Sequence, residues 1–146
     1  MNSKRYDKAS ILLNSCGLRK TIPRLEILSV LLEQDGPLTQ EQIAGRIGKT
    51  APDKTTIYRS LVKLTEHNLV HQAYIHNRTR YFETAHHCRA NRCHPHFTCI
   101  LCNKTHCLTN AHAPGVKDLP AGFQIHRQQT RLEGICADCQ TKNMTK

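Results

Sequence analysis

Lys54-Thr55-Thr56-Ile57-Tyr58-Arg59-Ser60-Leu61-Val62-Lys63-Leu64 is the stretch whose periodicity orients the rest of the chain. Ile57, Leu61 and Leu64 recur at helical spacing and share one face. Thr56, Arg59, Ser60 and Lys63 fall on the opposite face by the same 3.6-residue arithmetic. That polar face carries hydroxyls and cations and no carboxylate, a lining suited to phosphates and base edges. The spacing predicts a helix over roughly 54–67, led in by Ala51-Pro52-Asp53.

Working outward, residues 69–75 and 79–83 read as two strands joined at His76-Asn77-Arg78. On the other side, Tyr6, Ala9, Leu12 and Leu13 give helical spacing over 6–16. Thr21 is a candidate N-cap for a second helix, with Pro23 tolerated in its first turn and Leu25, Ile27, Leu28, Leu31 and Leu32 as its apolar stripe. Gly36-Pro37 stops it. Thr39-Gln40-Glu41-Gln42 is a capping box opening a third helix, with Ile43 and Ile47 inward and Gly48 just past its end. Helices followed by a hairpin make the winged form of a helix-turn-helix, in which the 54–67 helix would enter the major groove of DNA. The competing reading is a small helical core with a solvated basic face.

The formal net charge of +10 favours a polyanionic partner. Its distribution does not locate a face: residues 1–83 carry thirteen Lys/Arg against eight Asp/Glu, and 84–146 carry eight against three, +5 in each part. Cysteine and histidine are distributed unevenly. Residues 1–83 hold one Cys and three His, and the remaining 63 hold seven of each. That shift divides the chain into 1–84, a link over 85–93, and 94–146. No apolar run is long enough to span a bilayer, and the first residues do not read as a secretory signal. The chain therefore reads as cytoplasmic, where eight cysteines point to metal rather than disulfides.

Cys99-Ile100-Leu101-Cys102 and Cys136-Ala137-Asp138-Cys139 are two Cys-x-x-Cys turns. Four thiolates delivered this way make a closed tetrahedral zinc site. Thirty-three residues separate the pairs, so the intervening segment must fold back to the metal. Strands are expected near 94–98, 105–108 and 122–132, and the polar tail after Cys139 is expected to fray. A four-thiolate site leaves no open position for water. The chain has no His-x-Glu, no HExxH and no phosphate loop, so no enzyme class is indicated.

With these elements in place, the chain resembles the ferric uptake regulator (Fur) family of bacterial metal-dependent repressors over about 8–140. Leu18-Arg19-Lys20-Thr21-Ile22-Pro23-Arg24, Thr55-Thr56-Ile57-Tyr58-Arg59-Ser60-Leu61, Arg80-Tyr81-Phe82-Glu83, His94-Pro95-His96-Phe97-Thr98-Cys99 and Gly134-Ile135-Cys136 carry the resemblance, in order. It implies an α+β protein: an N-terminal winged helix-turn-helix domain and a small C-terminal α/β dimerisation domain with a four-cysteine structural zinc site, one per subunit. It also implies a homodimer that binds palindromic operators in double-stranded DNA when its sensed metal is bound, repressing metal-uptake genes, with no membrane partner. Tyr58 and Arg59 would contact bases and backbone, Thr56 and Lys63 would flank them, and Arg19 would approach the minor groove.

A second metal site is expected at His94 and His96, which at i and i+2 point to one face of a strand. In the zinc-sensing branch of the family a cysteine at the spacing of Cys88 joins them, with one more ligand from the wing near His71; His76 and Glu83 are alternatives. This S/N set suits zinc. Between Glu66 and Asp118 the only acidic residue is Glu83, a poor supply for an oxygen-rich iron or manganese site, and Cys107 stands where iron-sensing relatives place a Glu. A third site of the family falls on Cys93, Pro95, Pro114 and Gln128, where the prolines offer no side-chain donor. Cys93 and Cys107 are left as auxiliary ligands, redox-sensitive thiols or core residues. The alternatives are an iron-, manganese- or peroxide-responsive member of the same family, or a zinc-buffering zinc-ribbon protein that does not bind DNA.

Overall fold

Apolar side chains recurring every third and fourth residue build the first part of the chain. In the computed structural model, which describes residues 3–85, 94–126 and 128–144, α1 (Ser3–Ser15) turns Ala9 and Leu13 inward and α2 (Ile22–Leu32) turns Ile27, Leu28, Val30 and Leu31 inward. From α3 (Gln40–Ile47) comes Ile43, and from α4 (Lys54–Glu66) come Ile57, Leu61 and Leu64. With Leu18, Leu38, Val70 and Phe82 they form one contiguous core. Each fully buried Leu or Ile contributes about 1.5–3 kcal/mol over its exposed state, which makes this core the main source of stability here.

The helix ends follow local chemistry. Thr39 Oγ1 accepts from Gln42 N at 3.1 Å and Gln42 Oε1 accepts from Thr39 N at 2.9 Å, a complete capping box. Gly48 follows α3 at φ +85°, where a Cβ is strained, and a short 3-10 turn (Gly48–Thr50) leads on. Asp53 caps α4: its carboxylate accepts from the Thr56 hydroxyl at 2.6 Å and from Thr56 N at 3.0 Å. Those two bonds hold its carboxyl below the usual range. Thr21 occupies the N-cap of α2 in extended conformation but makes no side-chain cap bond.

β2 (Val70–His76) and β3 (Thr79–Thr84) pair antiparallel, with His76 opposite Thr79, so the turn is Asn77-Arg78, both at positive φ. A two-residue strand not read from the sequence, β1 (Leu38–Thr39), pairs with Phe82 and Tyr81 and completes a sheet of order β1-β3-β2. Ser60 also departs from expectation. It is buried, because three residues after Ile57 it falls beside that side chain on the inner stripe of α4.

The chain divides into two compact units, Met1–His86 and His87–Lys146. The second is built on β4 (His96–Cys99), flanked by antiparallel β5 (Thr105–Cys107) and parallel β6 (Arg131–Gly134). Gly134 is needed there: a Cβ would meet the Phe97 ring at 3.0 Å. The strand expected over 122–132 begins only at Arg131, and the tail expected to fray is instead α5 (Ala137–Met144), which starts inside the second cysteine pair. Among the described residues of this unit only His94, Pro95, His96, Cys99 and Cys136 are buried, while Val116, Leu119, Phe123, Ile125 and Leu132 are exposed. The apolar core cluster lies wholly in the first unit. No helix among the described residues is long and apolar enough to cross a membrane.

Candidate metal centres and nucleic-acid interface

The four cysteines of the two turns converge. Cys99 ends β4, and the chain reverses through Asn103 N–Cys99 O (2.9 Å) and Cys99 N–Lys104 O (2.9 Å), bringing Cys102 back. Ile100 N donates to Gly134 O at 2.8 Å, which ties this turn to the end of β6 just before Cys136. All four Sγ atoms lie within 4.8 Å of one another, and Cys102 and Cys136 are 3.8 Å apart. A tetrahedron with Zn–S of about 2.3 Å has edges of about 3.8 Å, so the cluster fits zinc in size and donor type. The backbone N–H of Cys136, 3.4 Å from Cys99 Sγ, is the main influence drawing the Cys99 thiol down to about 6. Cys139 is pushed up to about 12, chiefly by its hydrogen bond to the Cys136 sulfur, with burial next.

A second donor set lies in the same unit. The His94 and His96 rings are 4.6 Å apart between centroids, and Cys107 stands directly opposite His96 across the β4–β5 ladder. Donor atoms of His94, His96 and Cys107 all lie within 4.8 Å of one another. The two histidines thus come together as their spacing implied. Cys107, which the sequence leaves open between auxiliary ligand, redox-sensitive thiol and core residue, is brought to the histidines by strand register. Two imidazoles and a thiolate suit zinc better than iron(II) or manganese.

Of the other expected ligands, His71 lies in the first unit opposite Glu83, with Nε2 2.7 Å from Glu83 Oε1, the nitrogen donating to the carboxylate. Both side chains are largely buried. His76 ends β2 at the turn. Cys88 and Cys93 lie outside the described residues. At the family's third site, Gln128 Nε2 donates to Pro114 O at 2.9 Å, a pairing that uses the amide without any ligand.

The outer face of α4 and the start of α2 enclose a groove of about 600 Å³ lined by Thr21, Arg24, Thr56, Tyr58, Arg59 and Lys63, with Val62 and Pro23 as its apolar floor. Tyr58 and Arg59 are exposed, Thr56 is held by Asp53, and Lys63 pairs with Glu66 at 2.8 Å. Arg19 is exposed, and its carbonyl accepts from Arg24 Nη1 at 2.9 Å. Arg24 is a cation on this face that the sequence reading had not counted among the contact residues.

The model of the ferric uptake regulator family matches residues 15–140. The chain is 27% identical to the ferric uptake regulation protein of Campylobacter upsaliensis, covering all of this chain and 98% of that one. Its fold is similar to that of a zinc uptake regulator solved with zinc and DNA (TM-score 0.68, 21% identity, 99% and 98% of the two chains). It is also similar to that of the Helicobacter pylori ferric uptake regulator, described as having three functional metal binding sites (TM-score 0.56, 18% identity, 96% and 94%).

Proposed function

This chain belongs to the ferric uptake regulator family, and from that premise we propose that it is a zinc-responsive repressor that binds operators of metal-uptake genes as a homodimer in the cytoplasm. The family is one of transcription regulators, not enzymes. The observation that carries the zinc assignment is the donor triad His94, His96 and Cys107, standing apart from the four-thiol cluster. A nitrogen–sulfur set disfavours oxygen-seeking iron(II) and manganese. The zinc uptake regulator of similar fold was solved with both zinc and DNA, which agrees with this reading.

In this reading residues 1–84 bind DNA, 85–93 form a hinge, and 94–146 dimerise. The exposed Val116, Leu119, Phe123, Ile125 and Leu132 are the kind of surface a subunit partner covers. Cys99, Cys102, Cys136 and Cys139 hold one structural zinc per subunit. An exchangeable zinc is held by His94, His96 and Cys107, with Cys88 as the fourth donor. Bound there, zinc supplies a cross-link among these donors. Tyr58, Arg59, Thr56, Lys63 and Arg19 face the duplex. A coupling of about 1–3 kcal/mol per site corresponds to roughly 5–150-fold in operator affinity.

The test is a duplex-binding titration with zinc, iron(II) and manganese each buffered, for the wild type and Cys107→Ser. Zinc should raise affinity at the lowest free concentration, and the variant should need at least tenfold more zinc while keeping its tightly held metal. Equal response to all three metals would refute zinc specificity. Binding that ignores metal would refute the sensing role.

A further inference from the structure

The lining of the groove between α2 and α4 combines three cations, Arg24, Arg59 and Lys63, with an apolar floor of Pro23 and Val62 beside Tyr58. Its polar side chains are largely engaged with the protein itself. The Thr56 hydroxyl donates to the Asp53 carboxylate at 2.6 Å, Lys63 Nζ to Glu66 at 2.8 Å, and Arg24 Nη1 to the Arg19 carbonyl at 2.9 Å. Ser60 is buried. The floor therefore offers contact area rather than hydrogen bonds.

Both floor residues are held by the fold. Pro23 lies in the first turn of α2, where its ring fixes the backbone. Val62 is β-branched and has one strongly preferred rotamer in a helix. It follows Tyr58 by four residues, so the two stand in one row along α4. Tyr58 is 44% exposed and Val62 36%, and Ile22, next to Pro23 in the chain, is 72% exposed. Apolar side chains left in water along a cation-lined groove call for an occupant that is anionic overall and locally apolar. A DNA duplex meets both requirements. Its phosphates suit the cations, and its base edges present one apolar group in the major groove, the C5-methyl of thymine.

We propose that Val62, seated beside Pro23, is a specificity-determining residue that reads thymine methyls, so that the operator must carry thymine at the facing position and not merely an A·T-like hydrogen-bond pattern. This rests on the DNA-binding reading above. Uracil pairs with adenine as thymine does and presents the same O4 acceptor, lacking only the methyl, so the contact can be separated from hydrogen-bond readout.

The test uses zinc-loaded full-length protein and a duplex selected from random sequence by the wild type. Each thymine of one half-site, with its symmetry mate, is replaced in turn by uracil, and affinity is measured for the wild type, Val62→Ala and Val62→Ile. Ala suits a helix at least as well as Val, so the first variant keeps α4. Burying one methyl contributes about fourfold in affinity. At one thymine position the wild type should therefore lose about fifteenfold when both half-sites carry uracil. Val62→Ala should bind the thymine and uracil duplexes within about twofold of each other, and Val62→Ile should keep the wild-type preference. A wild type indifferent to uracil at every position, or a Val62→Ala variant that keeps the full penalty, would overturn the assignment while leaving the DNA-binding reading intact. A wild type that retains no duplex at about 50 mM salt would overturn both.

Discussion

Removal of the metal from the four-thiol cluster, by a strong chelator or by Cys136→Ser, should unfold the second unit and spare the first. The argument is one of scale. Among its described residues only five side chains are buried, and two of them are the cluster cysteines Cys99 and Cys136. Structural zinc contributes about 10–16 kcal/mol in comparably small domains, whereas a whole domain is stable by about 5–15 kcal/mol. The first unit keeps its own apolar core from Ala9 to Phe82. Amide hydrogen exchange with mass spectrometry reads both units at once. On zinc removal, amides of β4, β5 and β6 should exchange at least ~10³-fold faster, the equivalent of losing about 4 kcal/mol, while those of α2 and α4 should stay within about threefold. Protection in β4–β6 that survives zinc removal to within tenfold would refute the reasoning, and so would equal loss in both units.

Leu61→Ala, at a fully buried position of α4, should destabilise the first unit by about 2–5 kcal/mol in urea unfolding. Thr39→Ala removes one half of the capping box and should cost about 1 kcal/mol, read the same way. Zinc binding to the four-thiol cluster should weaken steeply as pH falls through the neutral range, because each cysteine must give up its proton to bind, measured by competition with a chelator of known affinity. The same requirement makes zinc uptake release thiol protons throughout the neutral range, measurable as buffer-dependent heat in calorimetry.

What the sequence disclosed was what local rules control. The periodicity of Ile57, Leu61 and Leu64, the Thr39–Gln42 capping box and the two Cys-x-x-Cys turns each act within a few residues, and each appears in the structure as read. What escaped depends on pairing between distant segments. β1 is two residues long and exists only because Phe82 and Tyr81 lie opposite it. Cys107 joins His94 and His96 through the β4–β5 register, which no spacing along the chain encodes. Helix α5 is polar and weakly amphipathic, so nothing in its composition announced it; Gln140 N–Cys136 O at 2.9 Å shows it nucleating on the cysteine turn. Ser60 lies about 60° around α4 from Ile57, at the border of the apolar stripe, where packing rather than periodicity decides burial.

β4 carries a donor from each cluster: His96 at its beginning and Cys99 at its end, three residues and about 10 Å apart. The neighbouring strands repeat the theme, with Cys107 on β5 and β6 running straight into the turn before Cys136. An order of assembly follows. If the molecule is the zinc-responsive regulator proposed above, the thiols gather before the ladder holds His96 against Cys107, and a newly made copy reports on zinc only after it has first taken one ion for keeps. Oxidative damage to the four-thiol cluster would then deafen the molecule as well as loosen it.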